Sequence, residues 1–547
     1  MKPNNKKRNL IFEKKILENL KQKRDRYEMH KYWGKKPSND LKGLIEKYSR
    51  EGDTVLDPFS GYGVFCSEAY ILNRNVISND LNPVANFINI QLLEKNIDLE
   101  RLKKQWKLIK SEFEPYNFEW YKWSYKEQSV ELITVLRDKE GNPIKCKFKI
   151  LGSNKSQEID ITEIESKEYL KFEKYQEIVD WFPITKLIRN SRISAKEGMI
   201  VSDLFTKRTL ACHARLLTLI EKHSSGKEKD LFKVAFTANL ANCSKLLPPI
   251  KSRGAMAPGA WMTGFYIGET YLENNVLHYF ENRFSKIIKG KEDYLNQFGD
   301  KGEFNFNTVN YSNNYQTLQN DAKNLSIENE SIDYVFTDPP YGDAVPYFEQ
   351  SVIWNSWLKL EPDYKNEIVI SDSKERGKDC NKFEEEINLA FSEIRRVLKP
   401  NKYFSLTYHS LSGKEWKAIT NACIKSGFEL VDYEWLVQKS FTPRQINRLT
   451  SIKGDVLITF QKASTIETIT YKSDKEITQL FIEQIEKWLD NGGLDTNEIF
   501  LKTMNKVFSE KILIGDVDLL KILIENFKFS ENQQWILNDK LEFCTTG

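Results

Sequence analysis

The sequence of 547 residues predicts an α/β protein built on a doubly wound, Rossmann-like sheet, carrying a large inserted α+β domain and a small C-terminal helical domain. Three observations predict this. A strand, glycine turn, helix and second strand lead to a carboxylate at Asp80; regular strand–helix alternation returns only beyond residue 310; and the chain after 462 reads as short amphipathic segments. Length agrees, since roughly 150 residues per domain asks for three or four domains, or two with a large insertion.

The first unit starts at Thr54-Val-Leu-Asp-Pro58, a short apolar run that enters Phe59-Ser-Gly-Tyr-Gly63 and then a helix from Val64 to Leu72. A second run, Asn75 to Asp80, ends in a carboxylate, and Pro83 opens the next helix, through Leu93. The pattern returns at Tyr315 to Asn320 and at Ser331 to Thr337, which exits into Asp338-Pro-Pro-Tyr-Gly342. A helix over Glu384 to Leu398 places Ile387, Ala390, Ile394 and Val397 on one face and stops at Pro400. Strand Tyr403 to His409, helix Glu415 to Lys425, and strands Phe428 to Leu436 and Val456 to Phe460 complete the sheet.

Residues 97–310 are too many for a crossover loop and form the predicted insert. Alternation around Lys139-Glu-Gly-Asn-Pro143, within Val130 to Leu151, predicts a hairpin; Asp203 to Ile220 and Leu231 to Leu247 have helical spacing. The division is therefore 1–96, a basic segment and the first half of the sheet; 97–310, the insert; 311–462, the second half; and 463–547, an acidic helical domain.

The net charge of +3 is a sum of unlike pieces: residues 1–50 hold 16 Lys and Arg against 6 Asp and Glu, whereas 463–547 hold 9 against 15. No run approaches the ~18 apolar residues of a membrane span, and the Lys/Asn-rich start lacks a signal-peptide core, so a cytoplasmic protein is expected. The seven cysteines show no CxxC pair, which predicts no zinc and no other metal.

Glycines 61 and 63 let the backbone turn sharply and approach a ligand, and a carboxylate after the second strand, Asp80, can accept two ribose hydroxyls. Together with Asp57 they suit a nucleoside; the third glycine of the dinucleotide fingerprint and a Walker lysine are missing. Asp338-Pro339-Pro340-Tyr341 is more specific. Two prolines cannot continue a ladder, so they force a rigid strand exit that fixes a carboxylate, a free carbonyl and an aromatic ring. That set suits a planar base with an exocyclic amine: Asp338 and the Pro339 carbonyl accept its N–H bonds, while Tyr341 stacks on it. The two acceptors also stabilise the charge that develops as the amine attacks a methyl group.

These motifs resemble those of amino-methyltransferases that use S-adenosylmethionine, specifically adenine-type DNA methyltransferases of the DPPY family. His30-Lys-Tyr-Trp-Gly-Lys-Lys-Pro37 is similar to their upstream cofactor motif, Asp57 to Gly63 to the FxGxG motif, Asp80-Leu-Asn-Pro83 to the ribose motif, and Asp338 to Tyr341 to DPPY. The resemblance implies His30, Tyr32, Asp57, Phe59, Gly61 and Gly63 around the cofactor, Asp80 on its ribose, Asp321 near its adenine amine, and Asp338 with Tyr341 on the target base. It covers roughly 1–96 and 311–462. The implied activity is methylation of adenine N6 in a specific site of double-stranded DNA, in a restriction-modification or phage-defence setting with a restriction or defence partner protein. Phe205-Thr-Lys-Arg208 also resembles a family segment, with a helix cap as the plainer reading.

Duplex binding needs phosphate neutralisation. The basic head, the acid-free stretch between Asp230 and Glu269 with Lys245, Lys251, Arg253 and Trp261, and the acid-free stretch between Glu434 and Asp455 with Lys439, Arg444 and Arg448 are the candidate DNA contacts; a basic surface loop is the alternative for each. His409 is weighed as a target-base contact against strand-end packing. Rival functions are a cytosine N4 DNA methyltransferase, an RNA guanine N2 methyltransferase, and a noncatalytic DNA-binding subunit, the last opposed by the intact Asp57, Asp80 and Asp338.

Overall fold

The computed structural model describes residues 24–153, 155–161, 177–298, 314–408, 414–436, 455–465, 469 and 471–538; the head before Arg24, Lys439, Arg444, Arg448 and His409 lie outside them. The described chain runs through α1 (Ser38–Tyr48), β1 (Thr54–Asp57), α2 (Val64–Ile71), β2 (Asn75–Asn79) and α3 (Pro83–Leu93). The insert contributes α4 (Leu99–Tyr121), β3 (Lys122–Tyr125), β4 (Gln128–Asp138), β5 (Pro143–Ile150), β6 (Ser156–Asp160), α5 (Lys207–His223), α6 (Gly226–Leu240), β7 (Thr270–Asn274) and α7 (Val276–Leu295). Then come β8 (Tyr315–Leu318), β9 (Ile332–Thr337), α8 (Tyr347–Trp357), α9 (Cys380–Val397), β10 (Leu398–Tyr408), α10 (Lys414–Lys425), β11 (Phe428–Leu436) and β12 (Asp455–Lys462). The last segment holds α11 (Asp474–Leu489), α12 (Thr496–Ser509), α13 (Leu519–Asn526), β13 (Lys528–Phe529) and β14 (Trp535–Ile536).

The main sheet has the order β11-β12-β10-β9-β1-β2-β8. Strands β10, β9, β1, β2 and β8 are parallel, and β12 lies antiparallel between β10 and β11. All six residues of β9 are buried, as expected for a central parallel strand covered on both faces. The chain leaves β1 outward through β2 to β8, then returns to β9 on the other side of β1. That reversal places a crevice at the carboxyl ends of β1 and β9, where open α/β sheets bind ligands.

The second half of the sheet follows the predicted alternation, with shifts at its ends. Helix α9 starts one turn before Glu384 because the Asp379 side chain caps it, accepting from the Lys382 amide; its buried face includes Ile387, Ala390, Ile394 and Val397. Strand β10 begins at Leu398 rather than Tyr403, since the chain pairs with β9 in shifted register around Pro400 and the left-handed Asn401 (φ 59°).

In the insert, the expected hairpin is β4–β5, with the Asp138 carboxylate accepting from the Asn142 amide and Gly141 at φ 99°. Helix α4 and strand β7 were not legible from spacing: α4 starts at the Asp98 cap and contains Pro115, and β7 adds to the open edge of β4. The insert shares a core with the sheet. Phe113 of α4, Phe236 of α6, Phe280 of α7 and Trp354 of α8 belong to one buried cluster with Val55 and Phe65. Helix α6 is buried nearly all round, so it requires neighbours on both sides.

The acidic C-terminal helices cover the opposite side. Ser473/Glu476 and Asp495/Glu498 form capping boxes at α11 and α12. Trp416 of α10 donates to the Met504 sulfur at 3.0 Å, and Asn421 donates to the Ile514 carbonyl at 2.8 Å. These helices thus share their apolar core with α9, α10 and β12. Among the described residues, no helix is long and apolar enough to cross a membrane.

Candidate active site

The crevice at the reversal is a cleft with about 920 Å³ of space including its open mouth. Tyr32, Asp57, Phe59, Gly61, Gly63, Asp80, Asp321, Asp338 and Pro340 line it together, so residues from 32 to 340 of the predicted site meet in one place.

On the β1–β2 side, carboxylates are held by nearby backbone. Asp80 accepts from the amides of Gly61 and Asn82, each at 2.8 Å, and Asp57 accepts from the Phe59 amide at 3.1 Å. The glycines have steric reasons as well as left-handed backbones (φ 49° at Gly61, 84° at Gly63): a Cβ on Gly61 would lie 3.2 Å from the Tyr32 ring, and one on Gly63 would collide with Asn89. Burial raises Asp80 to about 6, against the pull of its two amide donors, and raises Asp57 well above the usual carboxylate range. Asn79 joins the loops, donating to the carbonyls of Pro58 (3.0 Å) and Asn320 (3.1 Å). Asp321 beyond β8 accepts from the Lys323 amide at 3.0 Å and has the Lys323 ammonium at 3.2 Å.

On the β9 side, side chains do the holding. The Tyr341 and Thr407 hydroxyls both donate to Oδ1 of Asp338, and the Lys36 ammonium lies 3.1 Å from Oδ2. Lys36 also pairs with buried Asp455 at 2.8 Å and approaches the Tyr341 hydroxyl at 3.4 Å. Burial alone would lower the Lys36 ammonium; Asp338 and Asp455 outweigh it and hold Lys36 above its ordinary value. Beside them, Glu367 lines the cleft and pairs with Arg376, which also faces Glu349; burial and the Glu349 charge push Glu367 upward.

Several expectations change. His30 is outside the cleft lining: Nδ1 donates to the Lys31 carbonyl at 2.5 Å, Nε2 meets the Thr237 hydroxyl at 3.1 Å, and the ring packs edge-on against Trp354. Burial lowers it to about 3, so it is a neutral core histidine that pins its segment to the insert. Tyr341 and Pro339 also lie off the lining, with the Tyr341 hydroxyl on Asp338; Tyr347 stands in the cleft instead, stacked on Tyr32 with ring centroids 6.2 Å apart. Trp261, expected on a DNA-facing loop, is buried against Trp33 and Trp354. Lys245 is half-buried, with its ammonium on the Asp203 carbonyl at 2.9 Å. Lys251 and Arg253 bound a single 3₁₀ turn in which Arg253 is exposed. The described part of the basic head is divided: Lys31, Lys42, Lys47 and Arg50 are exposed, whereas Arg26 pairs with Glu68 at 2.8 Å and Lys35 donates to the carbonyls of Tyr27 and His30. Thr206 caps α5, and Arg208 is buried on Glu273 with Arg137.

Sequence reasoning did not single out Lys36, Thr407, Asp455 or Glu367. Lys36 had a signal, lying inside the motif that starts at His30; the others are ordinary residues at strand ends and in a loop, brought in by pairing of distant segments.

Residues 1–89 match a family model described as DNA methylase. A solved DNA modification methylase from Thermus thermophilus is similar at 17% identity over 29% of this chain and 56% of that chain, with a TM-score of 0.17. A structure of it complexed with S-adenosyl-L-methionine gives 15%, 29%, 57% and 0.17. A SAM-dependent methyltransferase from Methanosarcina mazei gives 14%, 28%, 68% and 0.16. The chain spans a little over half the length of the first of these. No curated protein matches. The matched residues 1–89 contain Tyr32, Asp57, Phe59, Gly61, Gly63 and Asp80, all in the cleft lining.

Proposed function

We propose that this chain is an S-adenosylmethionine-dependent DNA methyltransferase acting on an exocyclic amine, with adenine N6 of a base extruded from a specific duplex site as its target. The observation that carries the reading is the single cleft in which the glycine turn and Asp80 face Asp338. A restriction-modification or phage-defence setting, with a partner protein, belongs to the proposal on sequence resemblance alone.

The residues present fit the cofactor. Gly61 and Gly63 line the cleft with bare backbone in left-handed turns, and Asp80 retains acceptor capacity beyond its two amide donors. Tyr32, Phe59 and Tyr347 supply apolar and aromatic walls, and Asp321 stands at the end of β8 for an amine donor. When bound, the cofactor supplies a methyl group on a cationic sulfur. Asp338, which lines the cleft, would accept an N–H bond of the target amine, opposing delocalisation of its lone pair into the ring and stabilising the positive charge that grows on nitrogen. Tyr341 and Thr407 orient the carboxylate for that task. The product amine then releases its proton to solvent, so no strong general base is required.

Asp at 338 favours adenine over cytosine N4. The test is incubation of the protein with labelled cofactor and mixed duplex DNA or RNA, followed by digestion to nucleosides. Label in N6-methyl-2′-deoxyadenosine is expected; label in N4-methyl-2′-deoxycytidine or, from RNA, in N2-methylguanosine, or none, would overturn the adenine reading.

A further inference from the structure

The Pro-Pro exit fixes the Asp338 backbone but leaves its χ angles open, and the orientation of the carboxylate is decided by groups far away in sequence. Oδ1 takes two hydroxyl donors, from Tyr341 and Thr407, and Oδ2 takes the Lys36 ammonium at 3.1 Å. A carboxylate offers about four lone-pair sites. Three donors therefore leave about one acceptor site on a carboxylate that lines the cleft. Lys36 is itself fixed: its nitrogen is 2.8 Å from Asp455, whose side chain is 1% exposed at the start of β12, and its own side chain is 9% exposed. Gly34 makes the approach feasible, since a Cβ there would sit 3.2 Å from Oδ2 of Asp338 and the backbone is left-handed (φ 73°).

We infer that Lys36, anchored on Asp455, is a positioning residue that holds the Asp338 carboxylate with one acceptor site aimed at the incoming amine. The inference rests on the proposed amino-methyl transfer, and it assigns Lys36 no contact with the transferred group. The Lys36 ammonium also offsets two carboxylates, each within 3.1 Å of it, that would otherwise repel one another.

The full chain carrying Lys36→Met, Lys36→Arg, Asp455→Asn, and Lys36→Met combined with either Asp455→Asn or Asp338→Asn separates the two ideas. With S-adenosylmethionine and duplex DNA, Lys36→Met should lower kcat roughly 10- to 100-fold while calorimetric cofactor affinity stays within about twofold. Lys36→Arg should recover part of the loss, and Asp455→Asn should show a smaller loss of the same kind. Without any substrate, Lys36→Met should lower the melting temperature, and neutralising either carboxylate in the same chain should restore most of it. An unchanged kcat in Lys36→Met, a loss explained by cofactor affinity alone, or a melting temperature that neither carboxamide restores would overturn the inference. If the wild-type chain methylates no base, the proposed function falls, while the melting series still judges the Lys36 clamp.

Discussion

The two sides of the cleft hold their carboxylates by different means. Asp57 and Asp80 are fixed by amides two to nineteen residues away, from Phe59, Asn82 and Gly61. Asp338 is fixed by side chains that include Lys36 and Thr407, hundreds of residues or a whole strand away. A backbone-held acid tolerates changes elsewhere in the protein so long as its own turn survives. A side-chain-held acid depends on the register of β9, β10 and β12 and on the segment before α1. The β1–β2 side is therefore local in origin, and the β9 side is tertiary.

The strongest way to break this comparison is at its centre. Asp338→Ala should reduce turnover by about 10²–10³-fold or more with cofactor affinity kept, because it removes the acceptor at the reacting amine and nothing on the opposite wall. Steady-state kinetics beside calorimetry checks it; a lost cofactor affinity with normal turnover at saturation would merge the two sides into one. Asp80→Asn is the mirror experiment. Loss of a charged acceptor should weaken cofactor binding about 10- to 100-fold and leave kcat at saturating cofactor close to wild type.

Acidity sharpens the same contrast. Asp80 is raised to about 6 by burial, and its ionised form is the better ribose acceptor. Cofactor affinity should be full above that value and fall as pH drops through it, whereas Asp80→Asn should flatten the dependence; titration calorimetry between pH 5 and 8 reads it out. Gly63→Ala tests the local scaffold. The left-handed backbone and the collision with Asn89 should cost about 1–3 kcal/mol of stability, together with cofactor affinity, measurable by denaturant unfolding with and without cofactor. The smallest effect is expected away from both walls, at exposed Arg253. If it meets a phosphate, Arg253→Ala should weaken DNA binding a few-fold and reduce the slope of log affinity against log salt by about 0.9; an unchanged slope marks a plain surface loop.

The legibility of the site in sequence followed the same divide. Asp57, Phe59, Gly61, Gly63 and Asp80 sit in one short unit whose turn residues and strand ends are readable without a fold, and all five line the cleft. Asp338 and the rigid Pro-Pro exit were readable for the same reason. His30 differs, because a motif position does not say which way a side chain points; its ring faces α6 and α8 rather than the cleft. Trp261 shared that fate, since an aromatic among cations looks the same in sequence whether it faces solvent or completes a cluster with Trp33 and Trp354.

The sequence by itself determined the alternation of strands and helices, the place of the insert, and Asp57, Asp80, Asp321 and Asp338 among the cleft's acids, because hydrophobic period, proline and glycine act over a few residues. It also determined that an acidic helical segment follows the sheet. Only the tertiary structure decided that the insert and this tail share their cores with the sheet, that Tyr347 rather than Tyr341 stands in the cleft, and that Lys36 joins Asp338 to Asp455. Those contacts arise where segments far apart in the chain pair and pack, and a buried ammonium is stable there only because two distant carboxylates converge on it.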